Sequence, residues 1–165
     1  MKDHFRFILV LLSAVLIAAV SVSAGEEAEK RAFTAEDLWK VQRLGSLKLS
    51  PDGRLAAVVV TKYCIDENKG AGDIWLVNTD GTGSRRFTTG ETSESSPAWS
   101  PEGKRLAFTA KRDGEKPQLQ IIPLGGGEAE ELTDMPLGVS SPRWLPDGKR
   151  IVFVSPVLPL SLIHI

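Results

Sequence analysis

Hydrophobic positions follow three different rhythms along the chain. Residues 7–20 are apolar except for Ser13, and the stretch from Gly25 to Arg31 is then strongly polar. Leu38, Val41 and Leu44 next recur every three residues, which is helical spacing. Beyond Gly45 the pattern changes to short apolar runs bounded by Gly, Pro and Asp, such as Ile74-Trp75-Leu76-Val77, Leu106-Ala107-Phe108 and Ile151-Val152-Phe153. Runs of that length between turn residues read as short strands. Three consecutive apolar positions imply strands covered on both faces.

The first rhythm reads as an export signal occupying residues 1–24. Lys2 and Arg6 precede the apolar run, and Val22-Ser23-Ala24 places small residues before a cleavage point at Gly25. A membrane span needs about 20 apolar residues, and this run is shorter. The expectation is therefore an exported chain, periplasmic or extracellular, with no stable membrane span once the signal is removed.

Residues 25–46 read as a linker and one short helix. Thr34 is the expected N-cap, with Asp37 three residues on, and Phe33 and Leu38 stand where a hydrophobic staple would place them. The spacing carries the helix to about Leu44, with Gly45 as its left-handed stop. The expected role is docking against an apolar surface.

The rest is a repeat. Ser50-Pro51-Asp52-Gly53 returns as Ser100-Pro101-Glu102-Gly103 and as Leu145-Pro146-Asp147-Gly148, at offsets of 50 and then 45 residues. The 45-residue offset also joins Ser96-Pro97-Ala98-Trp99 to Ser141-Pro142-Arg143-Trp144, and Phe87-Thr88 to Leu132-Thr133. The five extra residues of the first unit fall in a polar stretch between Thr61 and Gly72, an extended loop. Pro presets the first central position of a type I turn, Asp suits the second, and Gly accepts a positive φ after it. In the second unit the predicted strands are 97–100, 105–110, 118–124 and 129–133. Four strands per repeat of this length is the pattern of propeller blades. The fold expected is all-β, a partial β-propeller of two to three blades over residues 47–154, truncated before the ring of about 4 to 8 blades closes. Residues 155–165 leave the repeat, and the final Leu160-Ser161-Leu162-Ile163-His164-Ile165 resembles translated sequencing-adapter read-through.

Composition narrows the chemistry. Twenty Lys and Arg against 21 Asp and Glu leave a net charge of −1, so the sequence carries no electrostatic footprint for nucleic acid. One cysteine, Cys64, allows neither an internal disulfide nor a Cys-based zinc site. The two histidines, His4 and His164, lie at opposite ends, which removes the usual base for a serine or cysteine nucleophile. No Gly-x-Ser-x-Gly elbow and no phosphate-binding glycine loop occurs. Asp52, Glu102 and Asp147 occupy equivalent turn positions, which explains them better than a shared metal. Trp99 and Trp144 recur at one repeat position, so blade packing explains them better than a stacking platform, and Trp75 falls within the first unit's Ile-Trp-Leu-Val run. The segment 111–116 is a mixed-charge hairpin tip. No residue is assigned a catalytic, cofactor-binding or metal-binding role, and no cofactor is expected.

Phe33-Thr34-Ala35-Glu36-Asp37-Leu38-Trp39-Lys40 followed by Leu49-Ser50-Pro51-Asp52-Gly53 resembles the start of prolyl oligopeptidase family serine peptidases, in the acylaminoacyl-peptidase and dipeptidyl aminopeptidase branch. The Trp-Ser-Pro-Glu-Gly-Lys-Arg-Leu-Ala-Phe repeat resembles TolB-like propellers. The likeness covers residues 33–153. It implies a propeller partnered by a C-terminal α/β-hydrolase domain that carries the catalytic residues, acting on short peptides. None of those catalytic positions lies in this sequence, so the chain alone is expected to be inactive. Two other readings share the repeat: a non-catalytic TolB-like periplasmic protein-binding propeller, and a propeller fused to an amidohydrolase. The TolB-like family places an α/β domain before its propeller, for which residues 25–46 leave little room.

Overall fold

The computed structural model describes residues 31–90, 92–111 and 115–157. The expected signal at 1–24, the tip residues 112–114 and the tail from 158 lie outside the described residues. The elements below belong to one compact unit, Thr34–Ile165.

Thr34 caps helix α1 (Ala35–Lys40) as expected. Asp37 N–H donates to Thr34 Oγ1 at 3.3 Å, and Thr34 N–H donates back to the Asp37 carboxylate at 3.0 Å. This reciprocal pair is a capping box. The helix is shorter than its periodicity implies. Val41 is already extended, at φ −68° and ψ 122°. Strand β1 (Arg43–Leu49) then begins inside the segment expected to be helical. Gly45 is no helix stop: it sits in β1 at the pairing irregularity between Leu44 and Leu47. A Cβ at Gly45 would lie 3.3 Å from Val59 Cβ. The physical reason is competition. So short a helix is marginal, whereas β1 gains a hydrogen-bond ladder along β2 on both sides of that irregularity. Leu38, Val41 and Leu44 all stay exposed, so the helix's apolar edge is not buried. Trp39 meets Tyr63 edge-on at 6.2 Å between ring centroids.

Strands β1, β2 (Leu55–Cys64), β3 (Lys69–Asn78) and β4 (Ser84–Arg86) form an antiparallel sheet in chain order. Strands β5 (Ser93–Trp99), β6 (Arg105–Lys111), β7 (Gln118–Pro123) and β8 (Glu130–Glu131) repeat that arrangement. Strands β9 (Ser140–Trp144) and β10 (Ile151–Val154) form a further hairpin. These are two complete four-stranded blades and the first half of a third. Strand β1 touches β5 and β5 touches β9, whereas β4 and β8 do not meet. The blades therefore fan outward from a hub built by the first strands.

The three turns close alike. Gly53 N–H donates to Ser50 O at 2.9 Å, Gly103 to Ser100 O at 2.9 Å, and Gly148 to Leu145 O at 3.0 Å. Their φ angles are +71°, +70° and +64°, a region that only glycine occupies at little cost. Ser50 Oγ accepts from Leu55 N–H and Ser100 Oγ from Arg105 N–H, both at 3.0 Å. Leu55 is thus the counterpart of Arg105. The Leu-Ala of the first unit and the Leu-Ala of the second stand one residue out of structural phase. The fourth position repeats too: Ile74 N–H donates to Thr88 Oγ1 and Leu119 N–H to Thr133 Oγ1, each at 2.9 Å.

Alternation along the strands sends side chains to the two blade faces. Ala57, Val59, Ile74 and Leu76 of the first blade meet Leu106, Phe108 and Ile122 of the second. Ala107 and Leu119 face the third unit, beside Val139, Trp144 and Ile151. Leu106 and Ala107 are 0% exposed and Phe108 is 1% exposed, so β6 is covered on both faces. Strand β10 differs: Val152, Phe153 and Val154 remain exposed.

Candidate functional site

The hub strands carry the first candidate. A cavity of about 530 Å³ lies across β1, β5 and β9, walled chiefly by Lys48, Trp99, Arg143, Trp144 and the serines at 46, 96 and 141. The repeat dictates this convergence: Ser46, Ser96 and Ser141 are equivalent, as are Lys48, Ala98 and Arg143. A bulge sits beside the serine in each strand. Ser96 and Ser141 both adopt φ +52°, unusual for a residue with a side chain. The Trp following each bulge is held by the preceding blade. Trp99 Nε1 donates to Lys48 O at 2.9 Å, and Trp144 Nε1 donates to Ala98 O at 3.1 Å. The expectation that these indoles are equivalent holds; both are half-buried rather than fully buried. The Arg105 guanidinium lies 4.6 Å from the centroid of the Trp144 ring. Trp75 sits elsewhere, packed on Ala56, Val58 and Val60, and its buried Nε1 has no acceptor.

A second feature is acidic. Glu94, at the start of β5, is 3% exposed. Its carboxylate accepts from Thr88 Oγ1 at 3.2 Å and from Thr92 Oγ1 at 2.5 Å. Burial pushes its pKa above the ordinary 4.5; the two threonine hydroxyls pull the other way, and nearby Asp73 adds to the rise. Asp73 pairs with Arg86 at 2.7 Å. Glu94 borders a cleft of about 1140 Å³, whose other charged walls are Glu67, Glu115 and Glu128. The sequence reading missed Glu94. The repeat offers a signal for it: 45 residues on stands Val139, which is 2% exposed.

The turn carboxylates Asp52, Glu102 and Asp147 lie in three separate turns. The Ser50 hydroxyl and Arg54 N–H hold Asp52 below its ordinary value. Glu102 is lowered chiefly by its own backbone N–H, then by Arg105, which it pairs at 3.0 Å. Asp147 is lowered by Lys149 N–H and by Arg150, paired at 2.7 Å. Among the described residues no group of three His, Cys, Asp or Glu is placed to share a metal ion. Cys64 is exposed at the end of β2.

Residues 42–157 match the family model described as the TolB beta propeller domain. The uncharacterized peptidase YuxL of Bacillus subtilis is 39% identical over 110 residues, 67% of this chain and 17% of that protein. Dipeptidyl-peptidase 5 of Porphyromonas endodontalis is 32% identical over 142 residues, 81% of this chain and 20% of that protein. The chain thus spans a fifth or less of the length of these relatives. Among solved structures, a TolB-type protein from Agrobacterium tumefaciens superposes with a TM-score of 0.56 at 28% identity, over 70% of this chain and 38% of that one. Acylaminoacyl peptidase from Pyrococcus horikoshii superposes with a TM-score of 0.56 at 25% identity, over 71% of this chain and 18% of that one.

Proposed function

As a member of the TolB β-propeller domain family, matched over residues 42–157, this chain is, we propose, the N-terminal propeller portion of an exported serine peptidase acting on short peptides. The observation that carries the reading is the likeness to two proteins named as peptidases, at 39% and 32% identity. In this reading the propeller gates or docks on an α/β-hydrolase domain that supplies the serine, acid and histidine, because the described blades bring no such set together. Residues 1–24 act as a cleaved signal and residues 155–165 as a tail outside the repeat. Among the described residues no helix is long and apolar enough to cross a membrane.

A second reading has its own support. A TolB homolog from Chlorobium luteolum is 35% identical over 86 residues, 52% of this chain, which favours a non-catalytic binding propeller. Sequencing the source DNA beyond codon 157 separates the two. The peptidase reading expects further blades and then a Gly-x-Ser-x-Gly elbow. A reading frame that ends after the last blade, or that enters an amidohydrolase, overturns it. For export, mass spectrometry of protein secreted by a bacterial host should find Gly25 as the amino terminus. A membrane-retained chain starting at Met1 is the contrary result.

A further inference from the structure

We propose that the seam between the first two blades is a pH-responsive joint, closed while the Glu94 carboxyl holds its proton and loosened when Glu94 ionises. Both walls of this seam are complete four-stranded sheets, β1–β4 and β5–β8. Two short hydrogen-bond chains fasten β3 to the start of β5. Gly72 N–H donates to Ser93 Oγ at 3.0 Å. Ile74 N–H donates to Thr88 Oγ1 at 2.9 Å, and that hydroxyl donates on to the Glu94 carboxylate at 3.2 Å. The two backbones approach closely here: a Cβ at Gly72 would lie 2.8 Å from Glu94 O.

The next seam is an internal control. At the 45-residue offset Asp73 becomes Gln118, Thr88 becomes Thr133 and Glu94 becomes Val139. There Leu119 N–H donates to Thr133 Oγ1, which donates to Gln118 Oε1, both at 2.9 Å. The same hydroxyl relay thus works without an ionisable group. The first seam instead buries two neighbouring acids, Asp73 at 5% and Glu94 at 3% exposed. The Arg86 guanidinium is taken by Asp73. Among the described residues, the other charged groups lining the Glu94 cleft are acids, Glu67, Glu115 and Glu128. Lys62, Lys69 and Lys111 line a separate hollow on the Ser93 side. Ionised Glu94 therefore has only hydroxyl partners. Burial favours its neutral form, the Thr92 and Thr88 hydroxyls favour the charged form, and Asp73 favours the neutral form again. The balance lies with the neutral form, so the closed seam binds the proton more tightly than the open one. Closure is then fully supported below the ordinary 4.5 and weakens as pH rises through the raised value. A seam can loosen in this way while its blades stay folded, because local opening costs less than global unfolding. The joint requires neither a hydrolase domain nor a peptide substrate.

Amide hydrogen exchange of the full chain, read by mass spectrometry between about pH 4 and about pH 8 and corrected for the intrinsic rate, tests it. Peptides containing Gly72 and Ile74 should lose protection severalfold as pH rises. Peptides containing Leu119, in the second seam, should keep theirs. Glu94→Gln should hold the first seam at its acid-pH protection throughout the range. Asp73→Asn removes the neighbouring negative charge, so the loss of protection should move to lower pH; this variant decides the matter if the Gln variant does not fold. Protection at Ile74 that does not vary with pH, an equal loss at Leu119, wild-type pH dependence in folded Glu94→Gln, or an unmoved transition in folded Asp73→Asn overturns the proposal.

Discussion

Trp99 and Trp144 make the same bond one blade apart: each indole N–H donates to the carbonyl at the same repeat position of the preceding blade, Lys48 O at 2.9 Å and Ala98 O at 3.1 Å. Beside these rings the preceding blades place Ala57 and Ala107, both 0% exposed, and a larger residue there would meet the incoming indole. Trp144→Phe keeps most of the ring and removes the donor, so urea unfolding should show a loss of about 1 kcal/mol. Trp144→Ala should cost more, yet less than the about 3–5 kcal/mol of a fully buried ring, because Trp144 is half-buried. Equal midpoints for wild type and the Phe variant would remove the hydrogen bond from the account.

Ser100 is 0% exposed and its hydroxyl accepts from Arg105 N–H at 3.0 Å. Ser100→Ala leaves that donor unpaired and should cost about 1–2 kcal/mol by urea titration. The third turn has Leu145 at this position, so Leu145→Ala should show no hydrogen-bond loss and only a small packing effect.

The left-handed serines give a prediction of opposite sign. Ser96→Gly and Ser141→Gly remove a side chain from φ +52° and should each raise stability by about 0.5–1 kcal/mol. Gly103→Ala, at φ +70°, should lower it by about 1 kcal/mol. Denaturant midpoints of the three variants at one pH decide the matter; a destabilised Ser141→Gly would mean that the serine side chain has a structural partner.

Glu94 sets a pH dependence. Its pKa in the folded chain is raised above the ordinary 4.5 by burial, so the folded state holds the proton more tightly than the unfolded state. The stability this contributes is complete below about 4.5 and disappears as pH rises through the raised folded value. Glu94→Gln should therefore be more stable than wild type at pH 7, with the difference vanishing near pH 4. Asp52 and Asp147 act in the other direction, because their pKa values are lowered from 3.8 and their contribution is lost as pH falls below that value. Unfolding midpoints between about pH 3 and pH 8 for wild type and the Gln variant would separate the two effects.

The blades were legible in the sequence because turn chemistry is local. Ser-Pro-Asp-Gly fixes backbone angles within four residues, and the recurring Trp and Leu-Thr positions supply a second and third phase mark. The helix was not legible beyond Lys40. Leu38, Val41 and Leu44 have helical spacing, but β2 offers Arg43–Leu49 a ladder that sequence spacing cannot display. Glu94 escaped for a related reason. A glutamate among Thr and Ser reads as a polar loop, and its burial follows from the second blade closing against the first. Comparing it with Val139 would have exposed it. The strand phase was misleading at Leu55-Ala56, where identical letters stand one residue apart in structure, because the Ser50 hydroxyl counts residues and is indifferent to side-chain identity.

The indole bonds also run in one direction only. Each Trp reaches back toward the amino terminus, and the first blade has Leu49, whose side chain carries no donor, at the equivalent position. A blade of 45 to 50 residues leaves the ribosome in roughly 2–10 s at about 5–20 residues per second. The second and third blades therefore each arrive carrying a latch and find its catch already built. These blades can be added during synthesis one at a time, with neither indole donor waiting for an acceptor that has yet to be made.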